Sequence, residues 1–249
     1  MFLLWEESGL HVLAQKLTDW LREQLKERDA RGFVVGLSGG IDSAVTAALC
    51  KRACPGHVLG VIMPCFSNPR DAEDAMLVAG AFDIPVKTVA LDKPFLQMVQ
   101  LLTGQDYDPS DDDLTIANIK PRLRMTTLYF FAARNRYLVA GTNNRTELTV
   151  GYFTKYGDGG VDLLPIGNLT KCRVWELAGY LGVPRPIIEK APCAGLYAGQ
   201  DDEVELGVTY REMDEYILTG KADERVRKVV ERLAANNAHK NQMPALPPF

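Results

Sequence analysis

Gly36-Leu37-Ser38-Gly39-Gly40-Ile41-Asp42-Ser43 is the stretch on which the fold of this 249-residue chain turns. It closes an apolar run, Gly32-Phe33-Val34-Val35-Gly36-Leu37, and opens onto Ala44-Val45-Thr46-Ala47-Ala48-Leu49, which reads as a helix. A strand, a glycine turn and a helix N-terminus in that order form an anion site. Two glycines let the backbone turn tightly and aim successive N–H groups inward. The helix dipole adds roughly half a positive charge at the same point. Ser38 and Ser43 can add hydroxyl donors, and Asp42 places a carboxylate where a hard cation can sit between protein and phosphates. An ordinary β-turn-α connection, with Ser or Asp only capping the helix, uses the same residue types. The complete Ser-Gly-Gly-x-Asp-Ser pattern behind a buried-type strand favours the phosphate site. The loop lacks the Gly-Lys-Ser/Thr ending that reaches β- and γ-phosphates, so it suits pyrophosphate held with Mg²⁺ rather than a kinase-type transfer.

Outward from the loop, short apolar runs alternate with helical patterns. Candidate strands lie at 33–37, 57–63, 84–91 and 136–141, and candidate helices at 10–28, 42–53, 69–82 and 116–135. This alternation predicts an α/β fold with a doubly wound, open parallel sheet flanked by helices. Ligands of such sheets collect at the carboxyl ends of the strands, where both the Ser38 loop and Gly141-Thr142 fall. Pro121 is expected to start or kink the helix over 116–135. That helix carries more apolar girth than one core face needs (Met125, Leu128, Tyr129, Phe130, Phe131), so it is either buried on both sides or meets a partner subunit. Thr170 is placed to cap a helix running to Gly182 and Pro184. Residues 104–113, with five aspartates, read as a solvated loop. Residues 194–205 read as a mobile, glycine-rich segment able to close over a site, and the tail 244–249 is too proline-rich for a helix.

Composition narrows the function. A 47% hydrophobic, 24% charged chain of this length can bury one sizeable core. The formal charge of −4 provides no basic footprint for nucleic acid. No apolar run reaches the ~20 residues of a membrane span, and the acidic start Met1-Phe2-Leu3-Leu4-Trp5-Glu6-Glu7 does not read as a signal peptide. Five cysteines without a Cys-x-x-Cys pair, and three histidines without ligand spacing, argue against a disulfide framework or structural zinc. A reducing cytoplasm is the expected setting.

Four stretches carry a family resemblance: Gly36–Ser43; Asn118-Ile119-Lys120-Pro121-Arg122-Leu123-Arg124-Met125; the run from Gly141-Thr142-Asn143-Asn144-Arg145-Thr146-Glu147 to Gly157-Asp158-Gly159-Gly160-Val161-Asp162-Leu163-Leu164-Pro165; and His239-Lys240. The first resembles any N-type ATP pyrophosphatase. Together they resemble NAD synthetases, which amidate nicotinic acid adenine dinucleotide (deamido-NAD). The resemblance implies the adenine nucleotide alpha hydrolase-like fold. It covers nearly the whole chain and leaves no room for the glutaminase domain of glutamine-dependent members. It therefore implies a single NAD synthetase domain over residues 1–249 and the ammonia-using form.

Residue by residue, the resemblance implies that Gly36, Leu37, Ser38, Gly39, Gly40, Ile41, Asp42 and Ser43 wrap the ATP phosphates, with Thr142, Lys171 and Cys193 as further ATP contacts. Asp42 and Glu147 match Mg²⁺ ligands, and with Lys171 they form the expected catalytic set. Arg122, Lys155, Asp162, His239 and Lys240 match positions that bind deamido-NAD. In the family Lys155 and Asp162 reach it from the neighbouring subunit, which implies a homodimer. Bland roles exist for each: Glu147 as a helix-start carboxylate, Lys171 as a solvated lysine, Gly157–Gly160 as a plain turn. Yet a lysine in a first helical turn opposes the dipole and so invites an anion. Two positions depart from the family pattern. Cys193 stands where a Ser or Thr is usual, and a thiol is the weaker hydrogen-bond donor. Asp201 stands where Thr is common.

The competing functions are a GMP-forming or tRNA-modifying pyrophosphatase and a non-catalytic nucleotide-binding module of the same fold. The charge of −4 argues against a tRNA substrate. A GMP-forming enzyme calls for a different segment over 141–165. A mere binding module has no need of two carboxylates beside a phosphate loop.

Overall fold

The computed structural model describes residues 7–109, 113–193, 195 and 200–248. In chain order the elements are α1 (Glu7–Glu27), β1 (Gly32–Gly36), α2 (Ile41–Ala53), β2 (Val58–Ile62), α3 (Pro69–Ala81), β3 (Val86–Thr88), α4 (Asp92–Thr103), α5 (Leu114–Ala117) and α6 (Ile119–Asn135). They continue with β4 (Tyr137–Ala140), α7 (Arg145–Val150), α8 (Lys171–Leu181), α9 (Arg185–Ile188), α10 (Asp202–Leu206), α11 (Tyr210–Thr219) and α12 (Glu224–Asn237), followed by a 3₁₀ turn, Ala238–Asn241.

The four strands form one parallel sheet in the order β3-β2-β1-β4. Val34 of β1 pairs with Leu59 on one side and Val139 on the other. The chain winds outward from β1 through β2 to β3, then returns across to lay β4 on the opposite flank of β1. The reversal makes a crevice at the carboxyl ends of β1 and β4, the position where open α/β sheets bind ligands.

Period-2 alternation divides β1 between two cores. Phe33 and Val35 pack with α1, α2 and α8 on one face. Val34 packs with Val61, Val139 and the inner faces of α4 and α6 on the other. α2 is buried around most of its girth, so its small residues Ala44, Ala47 and Ala48 let it lie close to the sheet and to α8. A third cluster joins α7, α10, α11 and α12 through Val150, Leu206, Tyr210, Met213 and Val226.

The expected strands and helices are present and Pro121 starts its helix as expected, while three details differ. The third strand is confined to Val86–Thr88 at the sheet edge, because Pro85 has no N–H to give the ladder. Pro121 sits in the first turn of α6, where its missing N–H costs no helical bond. The long helical pattern is broken before it at Asn118, leaving α5 as a separate turn. The segment 194–205 ends in helix α10, capped by Asp201, whose side chain accepts from the Glu203 and Val204 N–H groups. Residues 194 and 196–199 lie outside the described residues, as do residues 110–112 of the aspartate-rich loop and the final Phe249. Most of the apolar girth of α6 is covered within the chain, whereas Phe130 stays 57% exposed. Among the described residues no helix is long and apolar enough to cross a membrane.

Candidate active site

A cavity of about 620 Å³ opens at the β1–β4 crevice. Its floor is the turn from β1 into α2. Gly39 takes φ +76, and a Cβ there would meet the Asp71 carbonyl oxygen at 2.5 Å. Glycine is therefore required both for the left-handed turn and for the approach of α3. The turn is fixed by serine hydroxyls. Ser43 Oγ donates to the Gly40 carbonyl at 2.9 Å, and Ser38 Oγ accepts from the Gly40 N–H at 3.2 Å. No side chain caps α2, whose N-cap is Gly40. The first-turn N–H groups are left for a ligand.

Three charged side chains from three helices converge beside this turn. Lys171 Nζ, on α8, lies 2.5 Å from Asp42 Oδ2 on α2 and 3.5 Å from Glu147 Oε1 on α7. Asn144 braces both acids. Its amide nitrogen Nδ2 donates to Asp42 Oδ1 at 3.0 Å. Its Oδ1 accepts from the Glu147 N–H, and Glu147 Oε2 accepts from the Asn144 N–H, a reciprocal capping box at the start of α7. Glu147 is thus a helix-start carboxylate, as in its bland alternative, that caps with one oxygen and turns the other toward Lys171.

Lys171 is 3% exposed, so it is not the solvated lysine of the bland alternative. Burial alone would lower its pKa, but the charges of Asp42 and Glu147 outweigh that and hold it above the ordinary lysine value. Glu147 is pushed well above the carboxylate range, by burial first and by the Asp42 charge second; Lys171 offsets part of this. The two carboxyl groups are hard oxygen donors, and the charge of a bound cation would oppose the upward shift and favour ionised Glu147. A divalent cation that completes its shell with phosphate oxygens fits that donor set. Among the described residues no cluster of three or more His, Cys, Asp or Glu forms a ready cation site by itself.

The cavity lining includes Gly36, Leu37, Ser38, Gly40, Ile41, Asp42, Ser43, Thr142, Glu147, Lys171 and Cys193 from the sequence-derived set. Gly39 faces α3 instead. Of the residues matched to the dinucleotide, Lys240 lines the cavity, its Nζ donating to the carbonyls of Gly151 and Phe153 at 2.7 and 2.9 Å. Lys155 donates to the His239 carbonyl at 2.6 Å. Lys155, His239, Arg122 and Asp162 lie off the cavity lining. Asp162 lies in the segment that bridges the outer edge of β4, accepting from Tyr129 OH at 3.0 Å and from the Val139 N–H at 2.8 Å.

Several wall residues went unrecognised in the sequence. Arg124 lines the cavity and donates to the Met63 carbonyl and to Ser67 Oγ, both at 3.2 Å. Arg122, two residues earlier on the same helix, points elsewhere, as a 200° separation demands. Lys190 ties the approach to Cys193 onto α3 through Asp71 (2.8 Å) and Asp74 (2.6 Å). Asp202 is buried and accepts from Tyr152 OH and Tyr210 OH, both at 3.1 Å. The Tyr210 ring lies 4.8 Å from Lys171 Nζ. An Asp in a glycine-rich acidic segment, or a Tyr on a distant helix, gives no periodic signal of such convergence.

Thr170 corrects a sequence expectation. It occupies the N-cap position of α8, but its side chain makes no capping bond and its buried Oγ1 has no partner. The α8 N-terminus is capped from other helices. The Lys171 N–H donates to Thr146 Oγ1 at 3.2 Å, and the Cys172 N–H donates to Asp214 Oδ2 at 2.7 Å.

The chain is 54% identical over 244 residues to an NH₃-dependent NAD⁺ synthetase of Carboxydothermus hydrogenoformans, covering 98% of each chain. Among solved structures it resembles an NMN synthetase from Francisella tularensis, with TM-score 0.90 and 35% identity, covering 96% of this chain and 99% of that one. It also resembles an NH₃-dependent NAD synthetase from Campylobacter jejuni, with TM-score 0.78 and 30% identity over the same shares. Both neighbours are consistent with the adenine nucleotide alpha hydrolase-like fold expected from the sequence. Residues 13–244, from α1 to beyond the 3₁₀ turn and so enclosing the whole crevice, match the family model described as NAD synthase, and the chain belongs to that family.

Proposed function

We propose that this chain is an ATP-dependent, ammonia-using ligase that amidates deamido-NAD to NAD and releases AMP and pyrophosphate. The observation that carries this is the capless, glycine-turned N-terminus of α2 beside Asp42, Glu147 and Lys171, in a chain of the NAD synthase family.

The carboxylate of the substrate is a poor electrophile. Its oxygen attacks the α-phosphorus of ATP, the bond to the bridging oxygen of the β-phosphate breaks, and pyrophosphate departs. Ammonia then attacks the carbonyl carbon of the mixed anhydride. AMP leaves, and the nitrogen gives up one proton. Negative charge grows on the departing pyrophosphate, so the site must meet that charge where it develops.

The open N–H groups of Ile41, Asp42 and Ser43 and the dipole of α2 bind the phosphates. Lys171 adds a cation that is already dehydrated and held by two carboxylates. Asp42 and Glu147 are the residues that would hold Mg²⁺. When bound, the ion supplies charge neutralisation between phosphate oxygens. Thr142 and Cys193 line the nucleotide end. Lys240, matched to the dinucleotide, lines the same cavity and would meet the second substrate there. By the family resemblance, Lys155, Asp162, Arg122 and His239 belong to a dinucleotide site completed across a homodimer, and their position off the cavity of one protomer is consistent with that reading.

Nicotinate mononucleotide is the second candidate substrate. The high structural similarity to an NMN synthetase favours it, and it offers the same carboxylate to the same ATP. Exchange of labelled pyrophosphate into ATP, run with each acid in turn, tests both. Exchange that requires deamido-NAD supports the first substrate, and exchange with the mononucleotide at higher kcat/KM replaces it. Exchange with neither removes the adenylation.

A further inference from the structure

Asp214 lies on α11, outside the cavity lining, and is 2% exposed. Its Oδ1 accepts from Thr146 Oγ1 and its Oδ2 from the Cys172 N–H at 2.7 Å. Thr146 is completely buried and precedes Glu147 in the first turn of α7. Its hydroxyl proton goes to Asp214, so its oxygen is free to accept the Lys171 N–H at 3.2 Å. One carboxylate from a third helix therefore ties together the first turns of the two helices that carry Glu147 and Lys171.

We propose that Asp214, acting through Thr146, is a positioning residue that sets Lys171 against Asp42 and Glu147. The proposal rests on the function assigned above to those three residues. Lys171 is the first residue of a helix whose own N-cap side chain is unused. Its backbone is anchored by Thr146 and by the neighbouring Cys172 bond. A carboxylate accepts both donors at once and adds favourable charge at a helix N-terminus. An amide at position 214 accepts one donor and presents N–H to the other, which reverses the polarity of the relay. A valine at position 146 leaves both Asp214 Oδ1 and the Lys171 N–H unpaired in a dry interior. Displacement of a catalytic group by about 1 Å can cost about a hundredfold in rate.

The test compares the full chain with Thr146→Val, Thr146→Ser, Asp214→Asn and the Thr146→Val/Asp214→Asn double variant. Two readouts apply: deamido-NAD-dependent pyrophosphate exchange, resolved into kcat and KM, and labelling of Lys171 by acetic anhydride, followed by mass spectrometry. Urea midpoints establish the folded fraction. Thr146→Val and Asp214→Asn are expected to lower kcat at least about tenfold in folded protein, with the deamido-NAD KM within about twofold. Lys171 should label faster in both. Thr146→Ser keeps the hydroxyl and should restore kcat to within about threefold, which keeps the proposal open to refutation if the valine variant fails to fold. Because the two residues act as one unit, the double variant should lose little beyond either single one. Wild-type kcat in the folded variants, multiplying losses, or a rise in KM alone would overturn the proposal. If the parent chain itself shows no exchange, the assigned function fails separately. Lys171 labelling then decides the positioning, and an unchanged rate in the folded variants overturns it.

Discussion

Lys171 and Asp42 stand 129 residues apart in sequence and 2.5 Å apart in space, both largely withdrawn from solvent. A lysine in the first turn of a helix opposes the dipole, and burial adds a desolvation cost. Two carboxylates offset both. The result is a cation that cannot wander, held beside the β1–α2 turn proposed to bind the phosphates. Asp42 also belongs to the α2 N-terminus, so phosphate loop, lysine and acid pair form one charge system.

Asp42→Asn tests that system. The substitution keeps the shape but removes the charge, and the new amide can accept from Asn144 or from Lys171 but not from both. The fold should persist, because Asp42 lies at the cavity wall rather than in either core. Turnover should fall by at least about a hundredfold, the equivalent of about 3 kcal/mol and within the range of metal assistance. Near-normal kcat at saturating Mg²⁺, in protein with an unshifted urea midpoint, would remove Asp42 from the metal and phosphate machinery.

Gly39→Ala separates backbone geometry from chemistry. At φ +76 an alanine costs about 1–2 kcal/mol, and its Cβ would press on the Asp71 carbonyl, which is backbone and cannot rotate away. The variant should be destabilised by about 2 kcal/mol or more and should lose ATP affinity, since the serine-fixed turn must open to relieve the clash. A urea midpoint equal to that of the parent would show that the turn is not held as tightly as its contacts with α3 indicate.

The sequence made the sheet legible because its evidence is local. β1, its glycine turn and α2 are contiguous, and each strand-helix alternation is a short-range pattern. The Asp42–Glu147–Lys171 group was legible only through family resemblance, since nothing in spacing alone brings residues 42, 147 and 171 together. Asp214, Tyr210 and Asp202 escaped notice for a related reason. They reach the site from a helical layer folded back over it, and their roles are tertiary bonds to buried N–H and O–H groups. Thr170 shows the converse. Its residue type was right for a cap, but Thr146 and Asp214 already supplied the acceptors.

Lys155 and Arg122 test the shared dinucleotide site. Each lies off the cavity of its own protomer, and Lys155 Nζ is held by the His239 carbonyl near the chain's C-terminal turn. If Lys155 serves the partner's site and Arg122 its own, Lys155→Ala and Arg122→Ala homodimers should both be impaired. Mixed dimers should then regain part of the activity, because one of their two sites carries neither substitution. No recovery in dimers verified by mass spectrometry would place both residues in the same protomer's site.

Cys193 tests the nucleotide end of the cavity. It is exposed, lines the cavity, and its Sγ accepts from the Gly195 N–H at 3.3 Å. A hydroxyl is usual in the family at this position. Cys193→Ser should therefore leave ATP affinity equal or better by at most about 1 kcal/mol, the size of a typical net hydrogen bond. Cys193→Ala should lose little, and neither should abolish turnover, because the attacking group belongs to the substrate. Bulk is another matter: an alkylated Cys193 should block the site. Desolvation of the thiol by the loop around it holds it above the ordinary cysteine range. Only the thiolate reacts, so labelling by iodoacetamide should be slow at pH 7, rise about tenfold per pH unit, and still be climbing at pH 9. Cys50 and Cys65 serve as internal controls, since both are buried and the Cys65 thiol is pushed up to about 11. Bound ATP should slow labelling at Cys193 and leave the slow labelling of the two controls unchanged. Equal rates at Cys193 with and without ATP would place its side chain outside the nucleotide's reach.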